Sequence, residues 1–135
     1  MLFRLVLAAF LLAHGAIHAG YISPRPPPGP GAPAWPFALD ASWASTALGV
    51  DVHVMRAIGT LLVAATLGGF ALAALVAVGI LPAGVWPVVT AVGAIASIAV
   101  LLLFFHPWLL LGVAIDIVLL WAVLAAHWQP EWLTT

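Results

Sequence analysis

Two histidines, His14 and His18, stand four residues apart in an apolar run that begins at Leu2. On a helix that spacing is about one turn, so both imidazoles share a face. Two imidazoles so placed can bind one metal ion when one or two further ligands arrive from elsewhere in the fold. The histidines available to complete such a shell are His106 and His53, and the cofactor they imply is a transition metal or haem. A second chemical candidate is Asp116, which sits in the otherwise apolar run Gly112-Val113-Ala114-Ile115-Asp116-Ile117-Val118. An ionisable group inside a membrane-spanning segment is costly and faces protein or a cavity. Buried alone, its carboxyl would keep its proton; a partner such as His14, Arg56 or Thr60 would hold it ionised. Arg56 and Asp51 complete the set of polar candidates.

Each of these residues also has a purely structural reading. His14 and His18 would hydrogen-bond across helices or to loop carbonyls, Arg56 would pair with Asp51, and His106 would end a helix. Other chemistries find little support. His-x-x-x-His without a following glutamate lacks the general base of a zinc protease, and the chain's single Glu, Glu131, lies near the end of the sequence. No Gly-rich phosphate loop and no Gly-x-Ser-x-Gly elbow occurs. The serines fall in the loop after the first apolar run, except Ser97, and that one has no histidine neighbour along its own helix. A Ser/His dyad is therefore not expected, and no catalytic residue is assigned.

The elements that must position these groups are membrane spans. Of 135 residues, 66% are hydrophobic and only 5% charged, with a mean hydropathy of +1.27. That composition excludes an ordinary soluble globule and makes lipid the main solvent. With three Lys+Arg and a formal net charge of -1, there is no basic stripe for nucleic acid. Cysteine is absent, which removes disulfides and thiolate metal sites.

Residues 2–20 are long enough to cross a bilayer as a helix. A rival reading is a cleaved signal peptide, with Arg4 as its positive end and Ala13-His14-Gly15 or Ile17-His18-Ala19 before the cleavage point. From 21 to 51 the chain changes character. Pro24, Pro26, Pro27, Pro28, Pro30, Pro33 and Pro36 crowd together with Gly29 and Gly31, so the first half should be extended and outside the hydrocarbon. Trp35 to Leu48 mixes aromatic and polar residues and suits a short segment in the headgroup zone.

Asp51 is placed to N-cap a second span over 52–80, which Leu81-Pro82-Ala83-Gly84 ends. Trp86-Pro87 opens a third span to about 105, and His106-Pro107-Trp108 separates it from a fourth over 108–126. A short tail, 127–135, follows, with His127 anchoring the helix end. Trp86, Trp108, Trp121, Trp128 and Trp132 fall near span ends, where indoles favour the interface. The expected fold is an all-α, four-helix transmembrane bundle of up-and-down topology, one domain over 1–135. That topology puts His14, His18, Asp51, His53, Arg56 and His106 at one membrane surface, with Asp116 approaching His14 from below.

The run Ala13-His14-Gly15-Ala16-Ile17-His18, followed by a Pro-rich loop ending in Trp35-Pro36-Phe37 and three further spans, resembles a group of small bacterial four-helix membrane proteins with a His-Gly-x-x-His first helix. The resemblance implies a shared layout and carries no activity. In span count the chain is also similar to the DoxX-like proteins. The leading functional expectation is a non-enzymatic accessory or scaffold subunit in the cytoplasmic (inner) membrane of a bacterium, with both termini cytoplasmic. Its partners would be the lipid bilayer and other membrane subunits or further copies of itself. The alternatives are a metal- or haem-binding membrane protein using the histidine cluster, and a small proton-coupled transporter with Asp116 as the titrating group.

Overall fold

The structure is a computed structural model that describes residues 1–27, 29–31 and 33–130; Pro28, Glu131 and Trp132 lie outside the described residues. Five α-helices follow one another: α1 (Leu2–Ile17), α2 (Trp43–Leu48), α3 (Val52–Ala77), α4 (Trp86–Leu103) and α5 (Leu110–Leu120). With the turns that extend them, four segments are long and apolar enough to cross a membrane: Leu2–Tyr21, Val52–Ala77, Ala83–Leu103 and Pro107–Ala125. The protein is thus an all-helical bundle whose apolar helices mark it as multi-pass in a bilayer. Helix α3 packs on both α1 and α4, and α4 packs on α5.

Local chemistry sets where each helix starts and stops. Asp51 caps α3, its carboxylate accepting from the backbone N–H groups of His53 (2.8 Å) and Val54 (3.2 Å), which satisfies two donors that have no partner within the helix. Helix α3 ends at Ala77 and does not reach residue 80, because Gly79 takes a left-handed conformation (φ 82°). The amides of Gly79 and Ile80 then turn back to the carbonyls of Val76 and Leu75, and a left-handed residue just past a helix is the common way to close its last turn. Pro87 sits in the first turn of α4, where its missing N–H costs nothing. Beyond α4, His106 adopts an extended backbone and Pro107 opens the next turn.

The second half of the loop forms α2, capped by Ser42 and closed by left-handed Gly49. This segment clasps the end of α4. The Ser42 hydroxyl donates to the Leu103 carbonyl and the Trp43 indole N–H to the Leu102 carbonyl, both at 2.8 Å. Two helix-end acceptors that lipid could not satisfy are thereby paired.

Helices associate in membranes through close packing of small residues. Gly69 and Gly93 are the point of closest approach between α3 and α4; a Cβ on Gly69 would lie 2.6 Å from the Gly93 Cα. Neighbouring Gly68, which shares a four-residue spacing with Ala64, has open space around it. Trp86, expected among the interfacial indoles, lies inside the bundle. It is fully buried, and its N–H donates to the Trp128 carbonyl (3.3 Å). Past α5, residues Trp121–Ala125 form a single π-helical turn, with the Ala126 amide reaching five residues back to the Trp121 carbonyl (2.9 Å).

Candidate functional site

Inside the bundle, four polar side chains from three helical segments meet in one chain of hydrogen bonds. His14 Nε2 lies 2.7 Å from Asp116 Oδ1. The other carboxyl oxygen, Oδ2, is bonded to the Ser97 hydroxyl, and Ser97 Oγ is in turn 2.8 Å from His18 Nε2. His18 Nδ1 faces the His14 carbonyl at 3.3 Å, which closes the chain back onto α1. All four residues are shut away from solvent: Asp116 and Ser97 are 0% exposed, His18 1% and His14 5%.

Each helix contributes for a physical reason. The last turn of the first span tightens into a 3-10 turn over His18–Tyr21. Gly15, between the two histidines, lets α1 approach Phe70 of α3, since a Cβ there would stand 3.1 Å from the Phe70 Cβ. The His14 ring is then held by aromatic neighbours, parallel to Phe10 (6.0 Å between centroids) and edge-on to Phe70 (5.0 Å). Ser97 lies six residues before the end of α4, and Asp116 six residues after the start of α5. At about 1.5 Å per residue both stand roughly 9 Å below those helix ends, so the two arms of the helical hairpin present them at matching depth.

Hydrogen-bond chemistry limits the proton arrangements. Facing a carbonyl, His18 Nδ1 carries a hydrogen, because two acceptors would repel. With His14 neutral and donating from Nε2, two arrangements then satisfy every contact. In one, Asp116 is a carboxylate that accepts from His14 Nε2–H and from Ser97, while a doubly protonated His18 donates to Ser97 Oγ. In the other, a protonated Asp116 donates to Ser97 Oγ, and Ser97 donates to the bare Nε2 of His18. The two differ by one proton passed from Asp116 to His18 through the Ser97 hydroxyl. With His14 neutral, the cluster carries no net charge in either form, which is what a low-dielectric interior favours.

The remaining candidates lie elsewhere. His53 is exposed at the start of α3, and the Asp51 carboxylate is occupied in capping rather than paired with Arg56. The His106 ring accepts from the Trp108 amide (3.3 Å) and stacks edge-on against its indole. Arg56 is exposed beside the Pro-rich loop. Of the proposed metal ligands, only His14 and His18 come together, and they meet a carboxylate and a hydroxyl. No group of three or more His, Cys, Asp or Glu side chains placed to hold a metal ion occurs among the described residues.

Ser97 has no histidine on its own helix and belongs to no motif along the chain; its histidine, His18, comes from the end of the first span. The available signal was its position as the lone serine within a span, four residues after Gly93 on the face that meets α3. The order of groups is also not that of a hydrolase. In a Ser-His-Asp triad the imidazole stands between hydroxyl and carboxylate, whereas here the hydroxyl stands between imidazole and carboxylate. Compared with known protein families, with curated proteins and with solved structures, the chain matches none.

Proposed function

We propose that this chain is a small proton-handling membrane protein in which Asp116, Ser97 and His18 form an internal relay and His14 holds the carboxyl in place. One observation carries the reading: an unbroken, fully buried hydrogen-bond chain whose two satisfied forms differ by a single proton displaced along it. A cluster needed only to join helices gains nothing from a second form of equal charge. An ionisable residue within a span is by default a functional candidate, and proton relays are among the roles such residues fill.

The outer helices α1 and α5 keep broad apolar faces. Ile117, Val118, Trp121 and Leu124 of the fourth span are each more than half exposed. Lipid covers these faces, and they are also where a second copy or a larger membrane subunit would dock, so the relay would serve a complex rather than act in isolation. We place the protein in the cytoplasmic membrane of a bacterium with both termini inside. A first span that resembles a signal anchor and a Pro-rich loop that suits an external segment support that orientation.

The test is infrared difference spectroscopy of the purified protein in detergent across a pH step. The expected result is a carboxylic acid carbonyl band that disappears in Asp116→Asn and changes together with imidazole modes in the wild type. In Ser97→Ala the two signals should separate. A carboxylate that never protonates, with histidine modes indifferent to Ser97→Ala, would show the cluster to be a fixed tie between helices.

A further inference from the structure

Where the first span ends, Tyr21, Trp35, Arg25 and Arg56 border a pocket of about 340 Å³ that also includes Asp40 and Thr60. Two polar atoms of this group are buried without any hydrogen-bond partner among the described residues: the Tyr21 hydroxyl and the Trp35 indole nitrogen. Tyr21 itself is only 6% exposed, its ring wedged between Phe37 (5.2 Å, edge-on) and Phe104 (6.0 Å). Leaving such donors buried and unpaired is costly, so two of them bordering one pocket mark a place built for an acceptor.

The charged residues agree. Arg56 makes no hydrogen bond or ion pair through its side chain among the described residues, and Arg25 reaches Asp40 at 3.3 Å across an exposed pair. Two guanidinium groups against one carboxylate leave the pocket one positive charge in excess. The free hydroxyls nearby are already used, Thr60 donating to the Arg56 carbonyl and Ser23 to that of Ala19. An indole N–H and guanidinium N–H groups donate only, and a phenol readily donates. The complement is an anion with several acceptor oxygens on a tetrahedral centre, since guanidinium forks match phosphate oxygens two at a time.

We infer that this pocket binds a phosphate group, through Arg56 and Arg25 at its mouth and the Tyr21 hydroxyl and Trp35 indole at its wall. It lies at the ends of spans, at the depth of lipid headgroups, so the phosphate belongs either to a phospholipid or to a free phosphate compound. The inference stands apart from the relay and holds whether or not a proton moves there.

The full-length protein in mild detergent is titrated with phosphatidylglycerol, followed by native mass spectrometry, and with inorganic phosphate, followed by calorimetry. Diacylglycerol of the same chains serves as the phosphate-free control. Saturable one-to-one binding is expected for at least one phosphate probe, weakened roughly ten- to hundredfold by Arg56→Gln, as removal of a charge-assisted bond implies, and less by Tyr21→Phe. Binding of the lipid alone identifies a headgroup site, and binding of inorganic phosphate identifies a free-phosphate site. Both substitutions leave the core intact, since Arg56 is exposed and the Tyr21 hydroxyl has no partner to lose among the described residues. Failure of both phosphate probes, diacylglycerol bound as well as phosphatidylglycerol, or affinities unmoved by either variant would overturn the inference.

Discussion

Replacing Asp116 by Asn and by Ala separates a proton-sharing cluster from one that depends on charge. In Asp116→Asn the amide oxygen takes the place of Oδ1 and accepts from His14 Nε2, now 2.7 Å away. The amide nitrogen donates to Ser97 Oγ, and the Ser97 hydrogen turns to His18 Nε2 at 2.8 Å. Every contact of the neutral form survives, so the loss of stability should stay below about 1 kcal/mol, the size of an altered but preserved hydrogen bond. Asp116→Ala instead deletes both bonds. Interhelical hydrogen bonds in membranes average only about 0.6 kcal/mol each, which sets a floor near 1 kcal/mol for the pair. Breaking a buried pair and stranding its partners costs roughly 3–5 kcal/mol, which sets the ceiling. Because Ser97 and Asp116 are wholly buried and His14 nearly so, the value should fall in the upper half of that range. Reversible unfolding by a denaturing surfactant in mixed micelles, followed by circular dichroism, measures both variants on one scale. If Asn costs as much as Ala, the resting cluster requires a carboxylate, the neutral form is inaccessible and the relay fails as an explanation.

Further consequences follow from the same geometry. Ser97→Ala orphans Asp116 Oδ2 and His18 Nε2 and should cost about 1–3 kcal/mol per group, measured in the same unfolding assay. Gly69→Ala forces a methyl against the Gly93 backbone and should destabilise by about 1–3 kcal/mol, whereas Gly68→Ala, in open space, should be neutral or slightly stabilising; thermal unfolding in detergent distinguishes them. Thr90 is fully buried and its hydroxyl has no partner among the described residues, so Thr90→Val, which keeps the shape and removes the orphan, should raise thermal stability.

The spans were legible because apolar length and Pro or Gly punctuation are local signals: Asp51, the Trp86-Pro87 pair and His106-Pro107 each act within one turn of where they stand. The approach of Asp116 to His14 was legible for a different reason, since an up-and-down order of helices fixes which ends share a surface. Topology places groups at a surface, however, and does not say which way each helix is rotated. His53 is exposed at the start of α3 and the His106 ring is engaged with the Trp108 amide, so neither joins His14 and His18, and Ser97 joins His18 through the rotation of α4. That rotation is set by the Gly69–Gly93 contact, and in a chain rich in Ala and Gly no spacing singles out that pair over Ala64 with Gly68. The first span was legible to within a residue, whereas α3 stops short of the expected residue 80, because the left-handed Gly79 is decided by backbone geometry within a uniformly apolar stretch.

The π-helical turn at Trp121–Ala125 makes the hydrogen-bond pattern, more than residue identity, set the phase of this end of the molecule. Such a turn accommodates one residue more than an α-helical turn, so it behaves as an absorbed insertion. Conservative replacements within it would leave the path of the backbone unchanged. Excising a single residue would restore an α-helical turn and leave everything beyond in its present phase, whereas forcing the same residues into an unbroken α-helix would turn everything beyond by about 100°, one residue's advance on the helical wheel. Trp128 would swing away from Trp86, and the indole N–H that now finds the Trp128 carbonyl would face an apolar interior with no acceptor.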